Sequence, residues 1–365
     1  MTEYERLFAS LRGQPRDRLP WYADLSWHYH SLRESGALDP RYDGEDGIVK
    51  LHRDLGAGIC FYSPRLWIAE TIGVEIQVDE EAGRRLTRIV TPLGTVRQTE
   101  TYLPKSYAYA IRENFVKDIG DLKIMLYLEE HKRYRPNYAQ YERAAAATAD
   151  IGYYIGYLEY AAPLQRMLSR WAGAEATVWM LADEPDECRA IFRGLVDADR
   201  PILEIVCGSP AGLIEICDNL SSETTGVYNF LEWNAELYKG YADALHRAGK
   251  LVSIHIDGTL KGCLRLLSDC GFDAAESVTP APVGDLPVER LREEAGNTLA
   301  LWGGLPGAIF SPLYGEEQFE AYLRMAIECF SRDPRSILGT ADQIPPDGLL
   351  HRVRRVAEAI AEYSR

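Results

Sequence analysis

The sequence predicts an α/β protein, a (β/α)8 (TIM) barrel formed by one domain over residues 1–365, and three observations lead there. Short apolar strands recur along the chain. Longer stretches with helical periodicity follow most of them, the signature of parallel βα units. Polar side chains collect just beyond the strand ends, where the mouth of such a barrel carries its chemistry.

The candidate strands are Pro20–Ala23, Gly58–Tyr62, Gly152–Tyr157, Gly212–Cys217, Leu251–Ile256, Asp273–Ser277, Leu299–Gly303 and Ser336–Gly339. Eight of them suit a closed barrel better than an open sheet. Helical patterns occupy Phe230–Ala248, Leu260–Cys270, Val288–Ala295, Glu316–Phe330 and Leu349–Tyr363. The segment Arg84–Tyr102 breaks the rhythm, with two alternating β-branched runs around Pro92-Leu93-Gly94 that predict a hairpin. Arg112–Ala149 reads as mostly helical. Residues 84–149 are therefore expected as an elaboration over one side of the mouth, with no core of their own.

Composition narrows the function classes. Apolar residues make up 46% and charged residues 26%, ordinary for a globular chain with a sizeable core. The formal charge of −15 and the scattered basic residues argue against a nucleic-acid partner. The one basic run, His131–Arg135, reads as a solvated helix end. No stretch approaches the roughly 20 apolar residues that cross a bilayer, and Met1–Arg18 reads as an amphipathic helix, not a signal peptide. Seven scattered cysteines without CxxC pairing fit reduced thiols, so a cytoplasmic location is expected. No Gly-rich phosphate loop or dinucleotide fingerprint is present, which argues against a nucleotide cofactor.

Reading only the strand ends gives a short list of site residues. Asp24, Trp27 and His28 follow the first strand, and Asp218 and Asn219 the fourth. His255-Ile256-Asp257-Gly258 ends the fifth, Glu276 lies in the sixth, Trp302-Gly303-Gly304 closes the seventh, and Thr340, Asp342 and Gln343 follow the eighth. His255 and Asp257, two apart on a strand, point to one face, and with Glu276 they form a set of three that can hold a divalent ion with a position left open. The same HxD pair can equally do no more than orient a loop. Asp218 is either a helix cap or, like Asp342, a general acid/base. Trp27, His28, Asn219, Trp302 and Gln343 are the expected substrate contacts. Tyr22, Trp27, Tyr29 and Trp302 near the mouth hint at a flat small-molecule substrate. The Gly-Gly after Trp302 would let backbone approach a ligand.

Four stretches, "GKLVSIHIDGTL", "GFDAAESVTPAPVGD", "LALWGGLP" and "GTADQIPPDG", together with "EICDNLSS", resemble in sequence and order the uroporphyrinogen decarboxylase superfamily, from about Ile151 to the C-terminus. The hairpin around Thr91-Pro92-Leu93-Gly94 is similar to one in its methyltransferase-like branch. True uroporphyrinogen decarboxylases carry an Arg-rich "RQAGRY" after the first strand. The corresponding "LPWYADLSWHYHSL" here has no arginine to hold a polycarboxylate, and the family's late "GHG" histidine is replaced, with Thr340 after Gly339.

Resemblance to the zinc-dependent corrinoid and thiol methyltransferases implies more about the site. Their His-x-Cys pair falls on His255 and Asp257, the Glu of the related methionine synthases on Glu276, and the last Cys on Gly339 or Thr340. Carboxylate in place of thiolate makes a harder, more Lewis-acidic site suited to an oxygen ligand. The resemblance thus implies a zinc- or similar metal-dependent methyltransferase, one that would remove an O-methyl group and pass it to a corrinoid partner protein. The alternative is a decarboxylase or other lyase acting on a small carboxylated substrate without corrinoid; a non-catalytic ligand-binding barrel is a third reading. Relatives that form dimers imply a homodimer as one assembly.

Overall fold

The computed structural model describes residues 1–62 and 64–364. Strands β1 (Trp21–Ala23) and β2 (Gly58–Tyr62) come first. Six strands outside the barrel follow: β3 (Trp67–Thr71), β4 (Glu75–Glu81), β5 (Arg84–Thr91), β6 (Gly94–Leu103), β7 (Ala108–Glu113) and β8 (Lys132–Pro136). The barrel resumes with β9 (Gly152–Glu159), β10 (Leu213–Leu220), β11 (Leu251–Ile256), β12 (Ala274–Val278), β13 (Ala300–Pro306) and β14 (Ser336–Ala341). The barrel strands pair in parallel and close in the order β1-β14-β13-β12-β11-β10-β9-β2. All eight predicted strands are present, and β9, β10, β12, β13 and β14 run further toward the mouth than the sequence suggests. The α/β barrel expected from the sequence is the fold.

Alternation along each strand sorts the side chains. Ile214, Ile216, Leu220, Val252, Ile254, Ile256, Ala275, Leu301 and Leu338 face outward and join the main core under the helices. Tyr22, Tyr153, Ile155, Leu213, Ala274, Ala300, Trp302 and Ile337 belong to a second, interior cluster. Leu7, Phe8 and Leu11 of the first helix, Glu3–Leu11, join that interior cluster. Inward residues nearer the C-terminal ends are polar, so the apolar fill stops part-way and a cavity opens above it.

Trp302 and two glycines show how tightly that interior is set. A Cβ on Gly339 would come within 2.9 Å of the Trp302 ring, so only glycine leaves the indole its space. Gly303 has φ +142°, and a Cβ there would lie 2.5 Å from the Val278 carbonyl oxygen. Gly303 therefore answers a close approach of β13 to β12, and Gly304 makes room for the Phe330 ring, 2.6 Å from a Cβ placed there.

The insertion differs from its predicted form. It begins at Trp67, not Arg84, and β5 and β6 are the middle of a four-stranded antiparallel sheet, β4-β5-β6-β7. Of the basic run, only His131 ends a helix, capping Ile119–Glu130; Lys132–Pro136 is a strand paired antiparallel to β3. The hairpin also has a core. Ile89 and Val96 are paired across it and pack with Leu122, Ile124 and Met125, and with Leu164, Trp171, Ile191 and Leu195 from the region after β9. That cluster was invisible to hairpin patterning because half of it comes from residues about a hundred positions away. Among the described residues no helix is long and apolar enough to cross a membrane.

Candidate active site

A cavity of about 370 Å³ opens at the C-terminal end of the barrel. Its floor is Tyr22 and Trp302, whose rings stand 5.4 Å apart. Its walls carry five carboxylates, Asp24, Glu159, Glu215, Glu276 and Asp342, against the two basic side chains His255 and Arg65. Cys60, Cys217, Tyr157, Tyr160, Asn219, Thr340 and Gln343 complete the polar lining.

Three neighbouring strands supply the densest group. Register pairs Glu215 with Ser253 and His255 with Glu276, so the inward residues of β10, β11 and β12 converge. His255 Nδ1 lies 2.6 Å from Glu276 Oε2, and Ser253 Oγ donates to Glu215 Oε2 at 3.0 Å. One ligand atom from each of Glu215, His255 and Glu276 falls within 4.8 Å of the others. Burial alone would lower the His255 pKa, but the carboxylates of Glu276, Glu215 and Asp342 raise it to about 10. An imidazole and two carboxylates, enclosed and in surplus negative charge, are a donor set that could hold a divalent cation.

A second group sits across the mouth at the ends of β1 and β14. Asp24 Oδ1 accepts from the Ser26 amide at 2.8 Å and its hydroxyl at 2.5 Å, and Gln343 donates to Asp24 Oδ2 at 3.3 Å and to Ser26 Oγ at 2.9 Å. Thr340 Oγ1 accepts the Asp24 amide at 2.9 Å and donates to the Asp342 carbonyl at 3.0 Å. Asp342 has φ +65°, a left-handed conformation that its amide holds by donating to Ser277 Oγ at 2.8 Å. Ser277 (φ +64°) and the cavity-lining Asn219 (φ +47°) share that unusual backbone. With Tyr160 (φ +48°), these left-handed non-glycine residues around one mouth are the strain expected where side chains are aimed for function. Burial raises the Asp342 pKa to about 6, with His255 opposing and Asp24, Asp257 and Glu276 adding to the rise.

Of the residues singled out in the sequence, Tyr22, Asp24, Asn219, His255, Glu276, Trp302, Thr340, Asp342 and Gln343 line the cavity. Four expected site residues do not. Asp257 follows the last residue of β11 and is exposed, because the strand ends at Ile256 and the parity that aims His255 inward no longer applies. Asp218 lies inside β10, not beyond it, on the outward face with Ile216 and Leu220; its Oδ2 accepts from the Ala162 amide at 3.0 Å and the Tyr238 hydroxyl at 2.8 Å. It thereby ties β10 to the start of the helical segment after β9. Trp27 donates its indole N–H to the Ser106 carbonyl at 2.7 Å, joining the barrel to the insertion. His28 is buried with Nδ1 3.0 Å from the Pro345 carbonyl and braces the last loop.

Glu215, Cys60, Cys217, Arg65, Glu159, Tyr157 and Tyr160 were not foreseen. Glu215 had a signal: an acid within the apolar run "LIEIC" is affordable only if it faces a polar interior. Cys217 lies two residues further along β10, and the others lie on β2 and β9, the barrel strands that flank the insertion, or just past their ends.

The profile of the uroporphyrinogen decarboxylase (URO-D) family matches residues 162–363, more than half of the chain. The chain belongs to the uroporphyrinogen decarboxylase family. Among solved structures it is similar to a methyltransferase from Methanosarcina mazei, at TM-score 0.63 and 16% identity over 100% of both chains, a likeness that establishes the shared fold. A second, the pneumococcal virulence factor StrH of N-glycan hydrolysis, aligns at TM-score 0.32 and 10% identity over 100% of this chain and 85% of that one, too low to bear on the fold. No curated protein matches in sequence. Among the described residues Arg65 is the one arginine lining the cavity, and it is paired with Glu159.

Proposed function

We propose that this chain is a metal-dependent, methyltransferase-like member of its family, acting on a small oxygen-bearing substrate and passing a methyl group to a corrinoid protein. The observation that carries the reading is the convergence of Glu215, His255 and Glu276 in a buried, negatively charged cavity. The ligand set expected from the strand ends changes in one place: Glu215 takes the position given to Asp257.

Those three residues would hold the cation and leave a position open to substrate. When bound, it would supply Lewis-acid polarisation of a substrate oxygen. The chain's own groups account for the rest. Asp342, holding its proton up to about pH 6, faces the set and can deliver that proton to a departing oxygen. Asp24, held by Ser26 and Gln343, stands opposite it. Trp302 and Tyr22 close the floor, and the Arg65–Glu159 pair stands at the rim. A cavity of 370 Å³ is at the small end of the roughly 300–1,000 Å³ that encloses drug-sized ligands, and its carboxylates would repel a polycarboxylate. The insertion shares its core with the barrel helices, so the reading treats residues 1–365 as one domain.

The test is metal content of protein purified without chelator, followed by methyl transfer from methoxylated donors to a corrinoid acceptor. About one equivalent of a divalent metal in the wild type, lost in Glu215→Ala and His255→Ala, is the expected result. A wild type that takes up no metal even on reconstitution overturns the reading. Metal without methyl transfer, but with carbon dioxide released from a carboxylated substrate, replaces it by the lyase reading.

A further inference from the structure

We infer that a second chamber beside the active-site cavity is a binding site for one carboxylate group, held by Arg170 and Arg65, on the molecule that fills the cavity. The inference names a second group on the substrate and in that part rests on the reading above; the binding of the carboxylate itself does not.

The chamber, about 260 Å³, lies between the end of β9, the β3–β8 ribbon and the helical segment after β9. It shares Arg65, Glu159 and Tyr160 with the cavity, so the two spaces meet at one wall. Their charges are opposite. The cavity carries five carboxylates against two basic side chains, whereas the chamber carries Arg65, Lys132, Arg166 and Arg170 against Glu129, Glu159 and Asp199. Three of those cations are matched: Arg65 reaches Glu159 at 2.6 Å, Lys132 reaches Glu129 at 2.8 Å, and Arg166 pairs with Asp199. Arg170 has no carboxylate partner among the described residues. Its guanidinium carbon lies 5.4 Å from the centre of the Tyr160 ring.

The surrounding structure holds that charge in place. Arg170 stands on the π-helical turn Met167–Trp171, an irregularity that recurs at functional sites. Buried Arg166 donates from Nε and Nη2 to the Tyr160 carbonyl at 3.1 and 3.0 Å, which fixes the left-handed residue whose ring backs Arg170. A guanidinium is planar and presents paired N–H donors that match the two oxygens of a carboxylate. The surplus is one charge, so a singly charged carboxylate neutralises the chamber and a phosphate dianion exceeds it. Trp67, Tyr134 and Trp171 add aromatic walls, which lower the local polarity and strengthen the pair. The acidic cavity repels a carboxylate and the chamber accepts it, so charge orients the substrate with its neutral oxygen toward Glu215, His255 and Glu276.

The experiment is saturation-transfer NMR on the full chain, as purified and again after chelator treatment, with butyrate and its neutral analogue butyramide as probes and inorganic phosphate as competitor. Expected is butyrate binding in both preparations, with butyramide at least about tenfold weaker. Arg170→Gln should weaken butyrate by the same factor, Arg170→Lys should restore part of the loss, and Arg247→Gln, at an exposed arginine outside the chamber, should leave it unchanged. Equal binding of butyrate and butyramide overturns the inference, as does no butyrate binding in the wild type; neither outcome requires a variant to fold. Butyrate binding unchanged in Arg170→Gln also overturns it. Binding lost on chelation places the carboxylate on the metal and overturns the role of the chamber, and phosphate that binds more tightly than butyrate overturns the choice of carboxylate. Butyrate bound by a wild type that takes up no metal supports the chamber and overturns only the metal-dependent reading.

Discussion

His255 Nδ1 and Glu276 Oε2 stand 2.6 Å apart on directly paired residues of β11 and β12. The contact aims both side chains at one point, and Glu215 reaches the same point from β10. Neither orientation depends on a loop, so the group is set by strand register and barrel closure.

Metal retention follows from that relationship. Glu215→Ala, His255→Ala and Glu276→Gln should each weaken divalent metal binding by at least about tenfold, with far-ultraviolet circular dichroism unchanged. Asp257→Ala should stay within about threefold of wild type, because its side chain is exposed beyond the strand. Calorimetric titration with zinc separates the two groups; equal losses at 215 and 257 would refute the assignment.

Asp342 carries the predicted pH dependence of turnover. Burial lifts its pKa to about 6, so the proton-bearing form dominates below pH 6 and is lost as pH rises through it. The rate should therefore fall on the alkaline side of about pH 6. Asp342→Asn should lower kcat by roughly 10²–10⁴-fold and remove that limb from the profile. A retained limb would assign the proton to another group.

Asp218 is predicted to matter for stability and not for the site. Its carboxylate ties β10 to the Ala162 amide and to Tyr238. Asp218→Ala should cost about 1–3 kcal/mol in urea unfolding, because two buried donors lose their acceptor. Zinc affinity should be unchanged; a parallel loss of metal would place Asp218 in the site after all.

His52 links stability to pH from the opposite end of the barrel. It is fully buried, with Nδ1 3.2 Å from the Gly58 carbonyl, and burial lowers its pKa from the ordinary 6.5 to about 4. The unfolded chain takes up this proton near pH 6.5 and the folded chain only near 4. Stability from this group is thus full above pH 6.5 and declines as pH falls toward 4, by up to about 3 kcal/mol. His52→Asn should flatten the decline between pH 7 and pH 4.5 in denaturant unfolding. Identical slopes in the two proteins would count against it.

Local pattern was enough for the barrel. Every strand is a short apolar run, the helices after β10 to β14 show their period, and eight parallel units have few ways to close. The longest helix, Pro185–Cys207, is harder to see because Pro201 lies inside it. His255 and Glu276 were legible for the same reason as the strands: parity within a strand is a property of neighbours in sequence.

What the tertiary structure alone decided is which side chains meet and where each strand stops. β11 ends at Ile256, which turns Asp257 away, and β10 continues to Leu220, which turns Asp218 outward and leaves Glu215 and Cys217 facing in. The insertion's core likewise joins Ile89 to Leu195 across the chain. Side-chain alternation is set one residue at a time by backbone sterics, so sequence carries it. Strand length, register between strands and contacts between distant segments depend on the energy of the closed and packed barrel, and they exist only once it has formed.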